Sequence, residues 1–431
     1  MVNPVCERVL VTGLGICVPE PSLTNEQIEG GMPWLDTSAR WIEEHTGIRR
    51  RHIAPTDQHA TDLGFRAAQE ALRLSGLEPE DIDLVLLATN TSQFIYPAGA
   101  VRIQRAFGED GQGRLRMRNA GALDIQQGCA SFLGGIVLAS GLVRGAVFEN
   151  VLVVGADVAS RMVDWTDRDA ILLGDGATAA VVTGANPPDN LEMPALEVLG
   201  HFMRTEPHMA DAITQRGPLN AGNNPLDHIE KQLESGEPPF RAQLYGTDYF
   251  GGMADDGHCF FKMDGRKVYR FVKSILPRQG YLEVLRRAGV TEDAPSALQL
   301  DRIESLDEVK DRGRRQAIGE YLASKVNLFV PHGANLALNQ ELAEEMCIPF
   351  EKMYITLHKY GNTSAASVGL SLYESLRQES CYTTLTRRDA QGGVKVPGQE
   401  IVVPALAADQ VALLLSFGTG ASWNYIVVRR A

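Results

Sequence analysis

The feature that most constrains this chain is a strand–turn–helix pattern that occurs twice, far apart in sequence. "DLVLLATNTSQ" leading into "AVRIQRAF" is an apolar strand followed by a helix, and "VNLFVPHGANLALNQELAEEM" repeats that order. "ALDIQQGCASFLGGIVLASGLV" is strand, turn and small-residue helix, and so is "MYITLHKYGNTSAASVGLSLYESL". Continuous apolar strands alternating with helices predict an α/β protein whose central strands are covered on both faces. The repetition predicts two related halves whose loops meet at one site.

Between the halves the pattern breaks down. Residues 185–260 are rich in Pro, Asn, Gly and His with weak periodicity, which predicts an inserted lid or cap. The expected division is therefore 1–184, 185–260 and 261–431, with a charged, exposed helical insertion at about 291–323. A length of 431 residues accommodates this. The net charge of −13 argues against a general affinity for nucleic acid or anionic membrane. With no basic n-region, h-region or apolar run of about 18 residues, a cytoplasmic protein is expected. Six scattered cysteines without a C-x-x-C pair predict reduced thiols, with neither a disulfide framework nor a metal site.

Among those thiols Cys129 stands apart. It follows Gly128 after a strand and precedes a helix, where unpaired N–H groups and the helix dipole favour thiolate. A nucleophile elbow has the same layout. His332 ("VPHGAN") can be a structural histidine, and Asn362 ("YGNTSAAS") can be a helix cap. Their placement after strands matching those of the first half argues instead that all three converge, since α/β sites form outside the carboxyl ends of strands.

"DIQQGCASFLGG", "TDRDAILLGDGATAAVV", "KMDGRKVYRF", "VPHGAN", "YGNTSAAS" and "FGTGASW", with "TSARWIEEHTGIRRRHIA", resemble in order the β-ketoacyl-acyl carrier protein synthase III group. The resemblance implies a thiolase-like fold, with duplicated βαβαβαββ halves in five layers, αβαβα. It implies that Cys129 takes an acyl group from a thioester, and that His332 and Asn362 stabilise the enolate of a malonyl-type extender. Backbone N–H groups of Cys129 and Thr419 would form the oxyanion hole. Trp41 and Arg168 would sandwich the adenine of coenzyme A, Asn335 would contact substrate, and Tyr96 would lie where a second subunit closes the acyl tunnel of a homodimer. Substrates would be acyl-CoA or acyl carrier protein thioesters, with no cofactor, in fatty-acid or polyketide-type synthesis. Ala337 replaces an arginine that helps dock the carrier protein, His45 replaces a basic residue, and Thr419 replaces a glycine. An alternative is acyl transfer from Cys129 to an alcohol or amine.

Overall fold

The computed structural model describes residues 6–185, 187–215, 260–377, 381–388 and 394–431. The first half runs β1 (Leu10–Cys17), α1 (Ala60–Ser75), β2 (Leu84–Ala88), α2 (Gly99–Ala106), β3 (Gly121–Ile125), α3 (Ser131–Arg144), β4 (Asn150–Val158) and β5 (Asp175–Thr183). The second half runs β6 (Leu196–Thr205), α4 (Gly265–Ser274), α5 (Tyr281–Arg287), α6 (Arg312–Lys325), β7 (Leu328–Pro331), α7 (Leu336–Glu345), α8 (Ser367–Leu376), β8 (Val411–Gly418) and β9 (Ser422–Arg430).

These strands form one sheet in the order β7-β8-β9-β6-β1-β5-β4-β2-β3. Each half contributes the same local pattern. In the first, β2 is parallel to β3 and β4, and β5 is antiparallel to β4 and β1. In the second, β7 is parallel to β8, and β9 is antiparallel to β8 and β6. The halves join through two rungs only, Leu10↔Glu197 and Val11↔Leu196.

Three apolar clusters set the layers. Helices α3 and α8 bury Phe132, Ile136, Val368 and Leu372 together with inward residues of both half-sheets, such as Leu86, Val153, Val330 and Leu414. Helices α1 and α2 cover the other face of the first half-sheet with Leu63, Ala67 and Ile103. Helices α4 to α7 cover the second with Phe271, Leu285, Leu322 and Leu342. The result is αβαβα, as the resemblance implied. Small residues let the central helices lie close to the strands: a Cβ at Gly135 would sit 2.6 Å from Val153 Cγ1, and one at Gly369 2.2 Å from Thr178 Oγ1.

Three sequence expectations need correction. Leu196–Thr205 lies inside the stretch assigned to a cap, yet it is the first strand of the second half, with Val198 and Phe202 buried. Its alternation was masked by the Pro- and Asn-rich residues around it. The 291–323 segment is not simply exposed, because Leu298, Leu300, Ile303, Leu306, Ile318 and Leu322 are buried in the outer layer. "MYIT" is reduced to a single parallel bridge, Phe329↔Met353, although Met353, Tyr354 and Ile355 are buried. Strands Cys381–Arg388 and Val394–Val403 form an antiparallel hairpin that the sequence reading missed. Residues 216–259, most of the expected cap, lie outside the described residues.

Candidate active site

The loops after β3, β4, β7 and β8, and the turn before α8, meet at the carboxyl ends of the parallel strands. Cys129 sits in the turn before α3, two residues ahead of its first residue. Gly128 is required there twice over. Its φ of +59° lies in the left-handed region, and a Cβ would fall 2.1 Å from Thr419 Oγ1 and 2.6 Å from Thr419 N. A Cβ on Gly418 would likewise fall 2.5 Å from Cys129 N. The backbones of 128–129 and 418–419 thus lie against each other, bringing Thr419 beside the nucleophile's loop.

Cys129, His332, Asn335 and Asn362 line one cavity of about 120 Å³, together with Gly418. The rest of its wall is mostly apolar, including Leu172, Met263, Phe271, Leu338 and Phe417. Its described walls also include Met209, Ala212 and Ile213 before residues 216–259, and Phe261 after them.

His332 is buried, and burial pushes its pKa down to about 3, so the ring is a neutral imidazole at physiological pH. Its Nδ1 lies 2.5 Å from Ser367 Oγ and its ring meets Phe417 edge-on at 5.2 Å. If the Ser367 hydroxyl donates to Nδ1, the tautomer is fixed with the proton on Nε2, leaving a neutral donor. Asn339 Nδ2 donates to the His332 carbonyl at 3.0 Å and holds the loop.

Asn362 lines the cavity and closes a side-chain turn ahead of α8, whose own N-cap residue is Ala366. Its Oδ1 accepts the Ser364 N–H at 2.9 Å, as a cap would. That bond fixes the carboxamide orientation and leaves Nδ2 as its donor side. Its own N–H donates to Leu172 O at 2.9 Å, tying the residue to the first half.

The resting state of Cys129 differs from the expectation. Burial, the largest cause, pushes the thiol up to about 11, and the Asp157 charge adds to this against a lowering hydrogen bond from Ser364. A helix N-terminus contributes on the order of 0.3–2 kcal/mol, roughly one and a half pKa units at most. Burial in the apolar wall outweighs that even though Cys129 as a residue is only partly buried, since desolvation of a thiolate moves its pKa by several units in the limit of full burial. The site holds a thiol that becomes a good nucleophile only as it ionises.

The β-ketoacyl-acyl carrier protein synthase III of Paracoccus denitrificans is 31% identical over 424 residues, 98% of this chain and 99% of its own length. The chain belongs to the β-ketoacyl-acyl carrier protein synthase III family. The family model described as 3-oxoacyl-[acyl-carrier-protein] synthase III matches residues 123–196, which contain Cys129. The model of its C-terminal part matches residues 319–383, which contain His332 and Asn362. The solved 3-oxoacyl-[acyl-carrier-protein] synthase III of Aquifex aeolicus superposes with a TM-score of 0.67 at 26% identity, over 98% of this chain and 99% of its own. That of Pseudomonas aeruginosa gives 0.67 at 26% identity over 98% of each.

The remaining residues singled out by resemblance to this family fare unevenly. Asn335 lines the cavity and caps α7, its Oδ1 accepting Ala337 N–H at 2.9 Å. Trp41 and Arg168 do meet, but the guanidinium carbon lies 4.7 Å from the ring centroid while His45 stacks on the same indole at 4.2 Å. A flat base inserted between Trp41 and Arg168 would need about 7 Å, two van der Waals separations. The slot is closed in this state, so an adenine would have to displace Arg168. Tyr96 is not part of the cavity: it is 82% exposed beside Phe94 and Ile95, on the segment between β2 and α2. Sequence reasoning missed Ser364, Ser367, Asn90 and Asp157. The two serines stood in the quoted "GNTSAAS", but nothing in that string shows which way a hydroxyl points.

Proposed function

We propose that the protein joins an acyl group to a malonyl-type extender by Claisen condensation through an acyl-Cys129 intermediate. The observation that carries this reading is the convergence of one thiol and two neutral donors, from opposite halves, on a single apolar cavity. Cys129 Sγ attacks the carbonyl of an acyl thioester; the new C–S bond forms as the donor thiol leaves with the proton. The extender then loses its carboxylate as carbon dioxide, and the electron pair moves onto the thioester oxygen as an enolate. His332 Nε2 and Asn362 Nδ2 donate to that oxygen, and neither requires a proton change to do so. The enolate carbon attacks the Cys129-bound carbonyl, the C–C bond forms, and Sγ leaves as thiolate. N–H groups of Cys129 and Thr419 face the carbonyl oxygen in both acyl steps.

Every step balances with two thioesters and one proton from solvent, which returns the Cys129 thiolate to the thiol, so we assign no cofactor. The chemistry requires a reduced thiol, which suits a reducing compartment such as the cytoplasm. Among the described residues no helix is long and apolar enough to cross a membrane. Strand β3, among the described residues, ends the sheet with an unpaired edge, and Leu123, Ile95 and Tyr96 are exposed at 44%, 56% and 82%. An open apolar edge calls for a cover, and a second copy pairing there would make the homodimer.

The decisive experiment incubates the protein with a panel of acyl-CoAs and weighs it intact. One acyl mass should appear on the wild type and none on Cys129→Ala. Adding malonyl-CoA or malonyl-carrier protein should then release a β-keto thioester. Release by alcohols or amines alone would overturn the condensation.

A further inference from the structure

The sulfur of Cys129 has one side-chain hydroxyl on it. Ser364 Oγ donates to Sγ at 3.4 Å, and Ser364 itself is held from three directions. Asn90 Nδ2 donates to Ser364 Oγ at 3.3 Å, leaving the hydroxyl proton for sulfur. The Ser364 N–H binds Asn362 Oδ1 at 2.9 Å, and the next N–H, that of Ala365, donates to Asp157 Oδ2 at 3.2 Å. Asn90 is anchored in turn, its N–H at 2.7 Å from Asp157 Oδ1 and its Nδ2 at 2.9 Å from Oδ2. Thr89 and Thr91 hydroxyls each reach Oδ1 at 3.2 Å, so the fully buried Asp157 is a saturated acceptor. Ser364 keeps a φ of +52°, a backbone conformation that a serine adopts only under constraint from its surroundings.

We infer that Ser364 is a positioning residue for the nucleophile, its hydroxyl oriented by Asn90 and Asp157 to donate to the Cys129 thiolate each time that thiolate forms. It forms twice in the proposed cycle, once as attacker and once as leaving group. The same residue holds the Asn362 carboxamide through its backbone, so the acyl and enolate sides of the site share one anchor. A hydroxyl donor strengthens when its acceptor becomes charged, so it favours thiolate over thiol. This role rests on Cys129 being the nucleophile, but it can be tested without any thioester.

The test follows alkylation of Cys129 by iodoacetamide from pH 6 to 10, with the modified cysteine located by mass spectrometry of its peptide. In Ser364→Gly, which suits the left-handed backbone, the rising limb of the profile should move up by about one pH unit, roughly tenfold slower at each pH. Ser364→Ala should give the same displacement. Asn90→Ala should slow alkylation roughly threefold alone and not at all in the Ser364→Gly background, because its effect runs through the hydroxyl. An unchanged profile in Ser364→Gly, or a loss for Asn90→Ala that multiplies in the double variant, would overturn the inference. Failure of the wild type to take an acyl group from any thioester would instead count against the proposed reaction and leave the alkylation result standing.

Discussion

The two halves place their functional groups at equivalent points and use them in opposite ways. The loop after β2 carries Asn90, and the loop after the matching β7 carries His332. The turn before α3 carries Cys129, and the turn before the matching α8 carries Asn362. The end of β4 carries Asp157, and the end of the matching β8 runs into Thr419. The first half supplies the nucleophile and a buried carboxylate with its donors. The second supplies neutral donors whose own acceptors are occupied or protonated by design of their surroundings. Duplication fixed where side chains emerge; the chemistry came from making the two sets unlike.

That difference predicts a division of labour between the halves. His332→Ala and Asn362→Ala should each lower the condensation rate by about a hundredfold or more, the usual loss for one oxyanion donor. Both variants should still capture an acyl group on Cys129, because neither residue serves the first acyl transfer. Acyl-enzyme that accumulates on intact mass spectra while β-keto product disappears would sharpen the comparison. Equal losses in both half-reactions would break it.

The seam between the halves is the next place to press. Gly128→Ala puts a methyl group 2.1 Å from Thr419 Oγ1 at a φ of +59°. Overpacking and left-handed backbone strain together should cost about 2–4 kcal/mol, read as a lower denaturation midpoint. Ala in place of Gly141, inside α3 where a Cβ meets nothing within 4 Å, is the control and should raise stability by about 0.5–1 kcal/mol.

How far these features were legible in sequence depends on range. Cys129 and His332 each follow a strand, and Cys129 and Asn362 each follow a turn glycine, Gly128 and Gly361, local signals that the chain shows directly, although the apolar run ahead of Asn362 pairs through one bridge alone. The Leu196–Thr205 strand was obscured because its partners, β1 and β9, lie far away in sequence, while its flanks look like loop. The thiol's raised pKa was out of reach for a similar reason. The helix end is local and readable, whereas burial depends on what the second half brings against it. Trp41 and Arg168 were expected on the two sides of an adenine; that they lie against each other instead is a matter of side-chain geometry, which the sequence does not carry.

The smallest effect expected is a pH dependence of stability weighted toward the second half. Burial pushes His332 down to about 3 and His358 down to about 4, the latter with help from the Lys359 and Arg49 charges. An unfolded histidine titrates near 6.5, so below that pH the unfolded chain binds protons that the folded chain refuses. The contribution of each is fully present above pH 6.5 and is lost as pH falls toward 4 and 3. One unit below 6.5, each should cost about 1.4 kcal/mol. In the first half, Asp175 moves the other way: burial raises its carboxyl, so acidification favours the folded form there. His52 of that half is also pushed down by burial. Hydrogen exchange at pH 7.5 and 5.5 should therefore show protection falling first in β7 and around residues 357–360. Protection that falls equally in β4 and β5 would mean that the halves unfold as one unit, whatever their histidines do.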